Sequence, residues 1–304
     1  ASSTFYARSP NFARVYQNRT DGEARAFNAV VELEHRIGER LRLAVRYGHN
    51  RAYDNSTFSC CTSGEGFTGT PTAGDPNSVG DPGDADRGAW GPSLYERRHV
   101  LTANARWRGP WGLSISGIWR SQSGTPWTPV VDGDVNGDGV LFNDRAMISK
   151  TLQFNNPAVD TVTLANHLLR FKCLREQLGH IARRNSCRNP WWHSLDVRVS
   201  KEVRTLRGQS AELLVEFFNL LDGIGGLFCD EDRAAADGNL HRGACGLGNL
   251  RAVYTSATNL LRPVRYDPQT GNVVYTVNPG FGEERQSGFE PFQFQIQLGV
   301  RYRF

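Results

Sequence analysis

The sequence predicts an all-β fold: an antiparallel transmembrane β-barrel segment of about seven long strands that is incomplete on its own. Three observations predict it. Apolar and polar residues alternate with a period of two over long stretches, short turns take turns with very long polar loops, and no run approaches the roughly 20 apolar residues of a membrane helix. The longest near-apolar run, Leu213 to Leu221, is interrupted by Glu216 and Asn219. The chain has 304 residues, 39% hydrophobic and 11% aromatic, which is too aromatic for a disordered chain. Lys+Arg 35 against Asp+Glu 31 leaves a net charge of +4, and the arginines are scattered, so no basic footprint for nucleic acid is present. No leader pattern precedes Ala1, and Met147 is the single methionine, so the expectation is a processed chain or a piece of a longer one.

The strongest element is the last. Phe292, Phe294, Ile296, Leu298, Val300, Tyr302 and Phe304 alternate with Gln293, Gln295, Gln297, Gly299, Arg301 and Arg303. Successive strand side chains point to opposite faces, so one face is wholly apolar and the other wettable. The same grammar predicts three hairpins upstream. Ala29, Val31, Leu33 and Ile37 turn at Gly38-Glu39-Arg40 into Leu41, Leu43, Val45 and Tyr47. Leu101, Ala103, Ala105 and Trp107 turn at Arg108-Gly109-Pro110 into Trp111, Leu113, Ile115 and Trp119. Leu195, Val197, Val199 and Val203 turn near Arg207-Gly208 into Leu213, Val215 and Phe217.

Between hairpins the connections run from about 53 to 93, 124 to 190 and 222 to 288. Brief periplasmic turns on one side and extended extracellular loops on the other are the asymmetry of an outer-membrane barrel. The charges agree. A lipid-facing Arg at mid-membrane costs about 2–4 kcal/mol, and Arg42, Arg46, Arg106, Arg120, Arg198, Arg301 and Arg303 all fall in the wettable series. His35 and Lys201 interrupt the apolar series, each close to a short turn where a long cationic side chain can snorkel to water. Trp107, Trp111, Tyr302 and Phe304 suit an interfacial aromatic girdle. Seven is an odd count where single-chain barrels are even, and an open edge in lipid is costly, so earlier strands are expected to complete the wall.

In the long loops, Val159 to Arg184 has roughly helical spacing, and Arg262 to Val277 reads as a hairpin above the membrane, turning at Asp267-Pro268-Gln269-Thr270-Gly271-Asn272. All six cysteines lie outside the alternating stretches. Disulfides pinning the loops are expected, with Cys173 to Cys187 and Cys229 to Cys245 the favoured pairs and Cys60 and Cys61 adjacent; unpaired thiols are the alternative. A zinc site is disfavoured because Cys60-Cys61 lacks a two-residue spacer. Asp134, Asn136 and Asp138, followed by Gly139, open like a calcium loop, but Phe142 and Arg145 stand where later ligands belong, and Asn143 and Asp144 could contribute instead with altered geometry. A plain Asp/Asn/Gly turn is the alternative. No nucleophile elbow, His-Glu-x-x-His or phosphate loop occurs, so no catalytic residue is expected. Glu32 and Glu34 share a strand face, as residues of a lumen wall do.

Several runs carry a family resemblance. Arg97-Arg98-His99-Val100-Leu101-Thr102, Gly112-Leu113-Ser114-Ile115-Ser116-Gly117 and Ser121-Gln122-Ser123-Gly124-Thr125-Pro126 are three of them. Ser194 to Lys201, Phe217-Phe218-Asn219-Leu220-Leu221 and the Cys173 to Cys187 loop are others. In this order they resemble the C-terminal barrel of TonB-dependent outer-membrane receptors of the Oar-like, carboxypeptidase-regulatory-domain type, over Asn11 to Phe304. The resemblance implies active uptake of a scarce nutrient across the bacterial outer membrane. The implied partners are outer-membrane lipid, an N-terminal plug and earlier strands, a TonB-type energy-transducing protein and the barrel-assembly machinery. Leu298, Val300, Tyr302 and Phe304 resemble the signal that machinery reads. The ligand is not legible. Two rivals remain: a structural or adhesive barrel without energised transport, and a secreted calcium-stabilised β-sandwich.

Overall fold

In the computed structural model the described residues are 23–55, 90–135, 144–205, 208–227, 251–253, 257–286 and 293–304. Seven long strands form one wall: β1 (Ala24–Ile37), β2 (Leu41–Asp54), β3 (His99–Arg108), β4 (Leu113–Gln122), β5 (Trp192–Arg204), β6 (Ser210–Phe218) and β7 (Gln295–Arg303). Each pairs antiparallel with the next in chain order, an up-and-down meander. Among the described residues β1 pairs only with β2 and β7 only with β6, so the sheet is open at both edges.

Register turns the alternation of single strands into two continuous surfaces. Following cross-strand partners at one level gives Ile37, Leu41, Trp107, Ile115, Val199, Val215 and Leu298, apolar on all seven strands. Shifting each strand by one residue gives Arg36, Arg42, Arg106, Ser116, Arg198, Glu216 and Gln297, polar on all seven. Slipping any strand by one position would exchange its faces, so side-chain chemistry itself enforces the pairing. Among the described residues the apolar face has no second protein layer: Leu298 is 75% and Val300 72% exposed. Those side chains are not the interior of a sandwich, and hydrocarbon is the cover they call for.

At the short-turn end, β1 and β2 meet at a tight turn over residues 38–40. The β3–β4 turn differs from expectation. Trp111 does not begin a strand; it sits in the turn with φ 56°, 85% exposed, and β4 starts at Leu113. Lys201 solves its awkward place in the apolar series by donating its ammonium to the Trp111 carbonyl in that turn, which is snorkelling to the interface.

Two further expectations are corrected. Phe292 lies outside the described residues, and Phe294 precedes β7: its N–H donates to Asp222 Oδ2 (2.9 Å) and its ring lies against Gly223. The connection beginning at Asp222 opens on a helix that the sequence reading does not name, α2 (Leu220–Leu227). The helix predicted over 159–184 is α1 (Pro157–Arg170) followed by one turn, Lys172–Arg175. Phe171 breaks it with extended backbone because its ring joins an aromatic cluster with Trp127 (6.1 Å) and Phe281 (5.3 Å). Residues 180–181 then pair with Met147–Ile148. The 262–277 hairpin is present, as Asn259–Asp267 against Asn272–Val277. No helix among the described residues is long and apolar enough to cross a membrane, which says nothing of crossing by strands.

Candidate functional site

The closely packed interior of this protein lies in its loops. Trp127, Val131, Ile148, Leu164, Leu168, Leu174, Leu260, Val277 and Phe281 form a buried cluster contributed by the second and third long loops. The hairpin of the third loop adds a third strand, Val130–Val131, from the second, so the two loops share a small sheet. Deletion of a large buried side chain of this kind typically removes several kcal/mol.

Polar groups set how these loops meet. On α1, Asp160 and His167 stand on the buried face with Leu164 and Leu168. Asp160 Oδ1 accepts from the Thr276 hydroxyl (2.7 Å) and the Val277 N–H (2.8 Å), while Oδ2 accepts from the Asn156 N–H (3.0 Å). His167 Nε2 donates to the Asn278 carbonyl (2.8 Å), and the Asn278 amide donates to the Asn259 carbonyl (2.8 Å). Burial holds the His167 ring well toward its neutral form, below its ordinary value of 6.5, with Arg170 acting in the same direction and the Asn278 carbonyl opposing both. Gly282 (φ 71°) packs against the Phe171 ring where a Cβ would collide.

The second loop is also tied to the wall. Asp54 belongs to the polar series of β2, and the fully buried Arg184 guanidinium grips its carboxylate (2.5 Å) and its carbonyl (2.6 Å). Asn185, in left-handed backbone (φ 53°), donates its amide to the Pro92 carbonyl (2.8 Å) and exchanges hydrogen bonds with Thr128. Buried Glu96 accepts from the Ala52 N–H (2.9 Å), from Arg98 (3.3 Å) and from Arg188. Burial alone would raise its carboxyl pKa, but the Ala52 N–H and the Arg188 and Arg98 charges outweigh it and hold the group ionised below 4.5. Removing one partner from such buried pairs costs about 3–5 kcal/mol.

Below this assembly the polar face is laced with ion pairs: Arg42 to Glu34 (2.5 Å), Arg120 to Asp196 (2.6 Å) and Arg198 to Glu216 (3.4 Å). Glu202 and Glu212 face each other directly across β5 and β6, and Arg303 lies 3.8 Å from both. These exposed pairs contribute about 0–1 kcal/mol each, so their role is a charged wall more than stability. Asp196 also accepts from the Asn219 N–H (2.9 Å). Asn219 is left-handed (φ 49°), and the chain leaving β6 therefore folds back into α2 beside the polar side of β5.

The residues singled out from sequence fare unequally. Cys173 and Cys187 are disulfide-bonded, closing a loop of a size worth about 3 kcal/mol; Cys60, Cys61, Cys229 and Cys245 lie outside the described residues. Asp134 and Asp144 are both buried, and the Val135 N–H donates to Asp144 Oδ2 (2.5 Å); Asn136 and Asp138 lie outside the described residues. Among the described residues no group of three or more His, Cys, Asp or Glu is placed to hold a metal ion. Leu298, Val300 and Tyr302 share the apolar face of β7, and the Phe304 ring follows at 6.2 Å from Tyr302. Sequence reasoning missed Arg184, Glu96, Asp160 and His167. Only the last two left a signal, as polar residues spaced seven apart on the apolar stripe of a helix.

The model of the family described as outer membrane beta barrel domain matches residues 1–223. No curated protein and no solved structure matches the chain.

A His167 ring held neutral lowers loop stability on acidification. Its contribution is complete above 6.5 and is lost as pH falls from there through the lowered folded value, because the unfolded loop takes up the proton first. Hydrogen-exchange protection of the Val277 and Asn278 amides, corrected for intrinsic rate, should fall as pH drops below 6.5. In His167→Gln, which keeps a donor for Asn278, protection should stay level; a fall of equal size in the variant would contradict the assignment.

Proposed function

The chain belongs to the outer membrane beta barrel domain family, and from that membership we propose that it forms part of the wall of an energised outer-membrane receptor importing a scarce nutrient. The observation that carries the reading is the loop assembly tied to the polar series. A passive pore needs only a charged bore. Here buried ion pairs, Arg184 to Asp54 and Arg188 to Glu96, fasten the second loop to the wall, Asp160 and His167 bond it to the third loop, and the Cys173 to Cys187 bridge closes it on itself. Such a structure suits a mouth that contacts one ligand and restricts others, with a rigid scaffold presenting loop residues.

In this reading the apolar face meets lipid, the polar face lines the bore, the long loops are extracellular and the short turns periplasmic. The open edges of β1 and β7 pair with further strands, since unpaired backbone in hydrocarbon costs several kcal/mol per group. A plug inside the bore and a TonB-type energy-transducing protein in the periplasm are the partners that the resemblance supplies. Leu298, Val300, Tyr302 and Phe304 would be read by the barrel-assembly machinery. The residues present hold, bind and exclude; none is assigned a catalytic role.

Calcium is proposed for the loop of Asp134, Asn136, Asp138 and Asp144, where hard oxygen donors at alternate positions suit that ion. The burial of both Asp134 and Asp144 supports it. Millimolar calcium should raise the Tm of the full-length protein, and Asp138→Asn should remove that rise; no shift with the wild type would discard the site.

The transport reading is tested in the native host with the full-length gene. Uptake of a panel comprising a ferric siderophore, cobalamin, an oligosaccharide and a peptide is compared with and without this gene and the gene for the energy-transducing protein. Accumulation of at least one compound should depend on both. If none depends on either, the structural or adhesive barrel replaces the receptor. In the same cells, Thr270→Cys should react with a membrane-impermeant thiol reagent and Glu39→Cys only after permeabilisation; the reverse pattern would invert the orientation.

A further inference from the structure

On the apolar series the charged residues are all of one sign. Its strand positions contain no Asp or Glu on any of the seven strands. The cations on it lie only at its two ends: His35 and Lys201 beside the short turns, and Arg25, His49, Arg51, His99 and His193 at the long-loop end. The polar face, by contrast, carries both signs, with Glu32, Glu34, Asp54, Asp196, Glu202, Glu212 and Glu216 among its arginines.

The cationic end also carries an aromatic belt, made of two groups of rings. His49 and His99 are register partners on β2 and β3 with rings 5.2 Å apart. His99 stacks on Trp191 (5.7 Å, 14° between planes), Trp191 on His193 (6.4 Å, 12°) and His193 on Trp119 (6.2 Å, 9°). Tyr47 Oη and His99 Nδ1 share a hydrogen bond of 2.7 Å. Further along the belt, Arg25 lies 5.6 Å over the Trp90 ring, which stacks on Tyr53 (6.3 Å), and Arg51 donates to Tyr53 Oη (3.1 Å). The carboxylates next to the belt are already paired: Glu23 is held by Arg25 at 2.5 Å, and Glu96, which accepts from the Ala52 N–H, is held by Arg98 and Arg188. Eight residues separate His99 from Trp107 in the opposite girdle, about 27 Å along a strand. At the usual barrel tilt that is roughly 20 Å of height, close to an apolar band of about 25 Å. The belt thus falls at headgroup depth.

Ordinary girdles need only amphipathic rings; this one adds five cationic or protonatable groups with no carboxylate among the strand positions of its face. We propose that the His49/Arg51/His99/His193 belt is a recognition surface for the phosphate groups of an outer-leaflet glycolipid. Guanidinium and imidazolium donors take the phosphate oxygens, and the stacked rings pack against the sugar and upper acyl chains. The assignment to the outer leaflet rests on the proposed orientation. The surface is continuous with the face that lipid covers, and its charge complements a phosphomonoester headgroup.

The test uses the full-length protein, stripped of lipid in neutral detergent, with bound lipid counted by native mass spectrometry. The probes are bisphosphorylated lipid A, the same glycolipid after phosphatase treatment, and phosphatidylcholine. The wild type should retain bisphosphorylated lipid A about tenfold more than either other lipid. A triple variant, His49→Gln, Arg51→Gln and His99→Gln, should lose that preference, whereas Arg36→Gln on the polar face should keep it. Heat-modifiable gel mobility reports folding of each variant. Equal retention of phosphorylated and dephosphorylated glycolipid by the wild type overturns the proposal, as does an equal loss in Arg36→Gln. Because binding is scored in detergent, a failure of energised uptake leaves this result standing, and the thiol labelling reports orientation by itself.

Discussion

A β-strand crossing hydrocarbon must satisfy two demands at once: every backbone N–H and C=O needs a partner inside the protein, and every outward side chain must tolerate lipid. The pairing of seven strands in one register meets both everywhere except at the outer edges of β1 and β7, which are open among the described residues. It hydrogen-bonds each strand to its neighbours, and it lines up Ile37, Leu41, Trp107, Ile115, Val199, Val215 and Leu298 on one face while placing Arg36, Arg42, Arg106, Arg198 and Glu216 on the other. Among the described residues, specificity of register rather than a jigsaw interior is what the strands supply, and the close packing lies in the loops.

The motifs that carried the resemblance turn out to be seams between wall and loops. Ser123-Gly124-Thr125-Pro126 is where the second loop begins. Ser123 bonds to both the N–H and the C=O of His99, Thr125 bonds to Asn189 at the loop's return, and Gly124 is the residue whose missing Cβ lets the Asn189–Pro190 backbone pass. In the Ser194 to Lys201 run, Asp196 both pairs with Arg120 and caps the turn at Asn219, the centre of Phe217-Phe218-Asn219-Leu220-Leu221. Lys201 reaches the turn at Trp111. Each of these residues closes a junction that backbone geometry leaves open.

The wall was legible because its information is local: a two-residue period needs no knowledge of distant residues. The loop hairpin at 259–277 was legible for the same reason, as was the cysteine pair, whose spacing closes a compact loop. What escaped depends on contacts far apart in sequence. Phe171 leaves the helix to meet Trp127 and Phe281, and Arg184 is buried by an aspartate at the end of β2, 130 positions away. The alternation also overran at Phe294, where a glycine-containing helix, unfavourable by propensity, is stabilised by packing against that ring. Of the candidate site, the disulfide could be named in advance, whereas the ion pairs that fasten the loops could not.

The central claim is that each strand shows one flank to lipid and the other to an aqueous bore. Spin labels placed singly from Leu195 to Ser200 in the full-length protein, reconstituted in liposomes, test it most directly through collision with oxygen and with a water-soluble nickel chelate. Labels at 195, 197 and 199 should respond to oxygen and those at 196, 198 and 200 to nickel. A uniform response along the strand, or nickel access at 197, would contradict it.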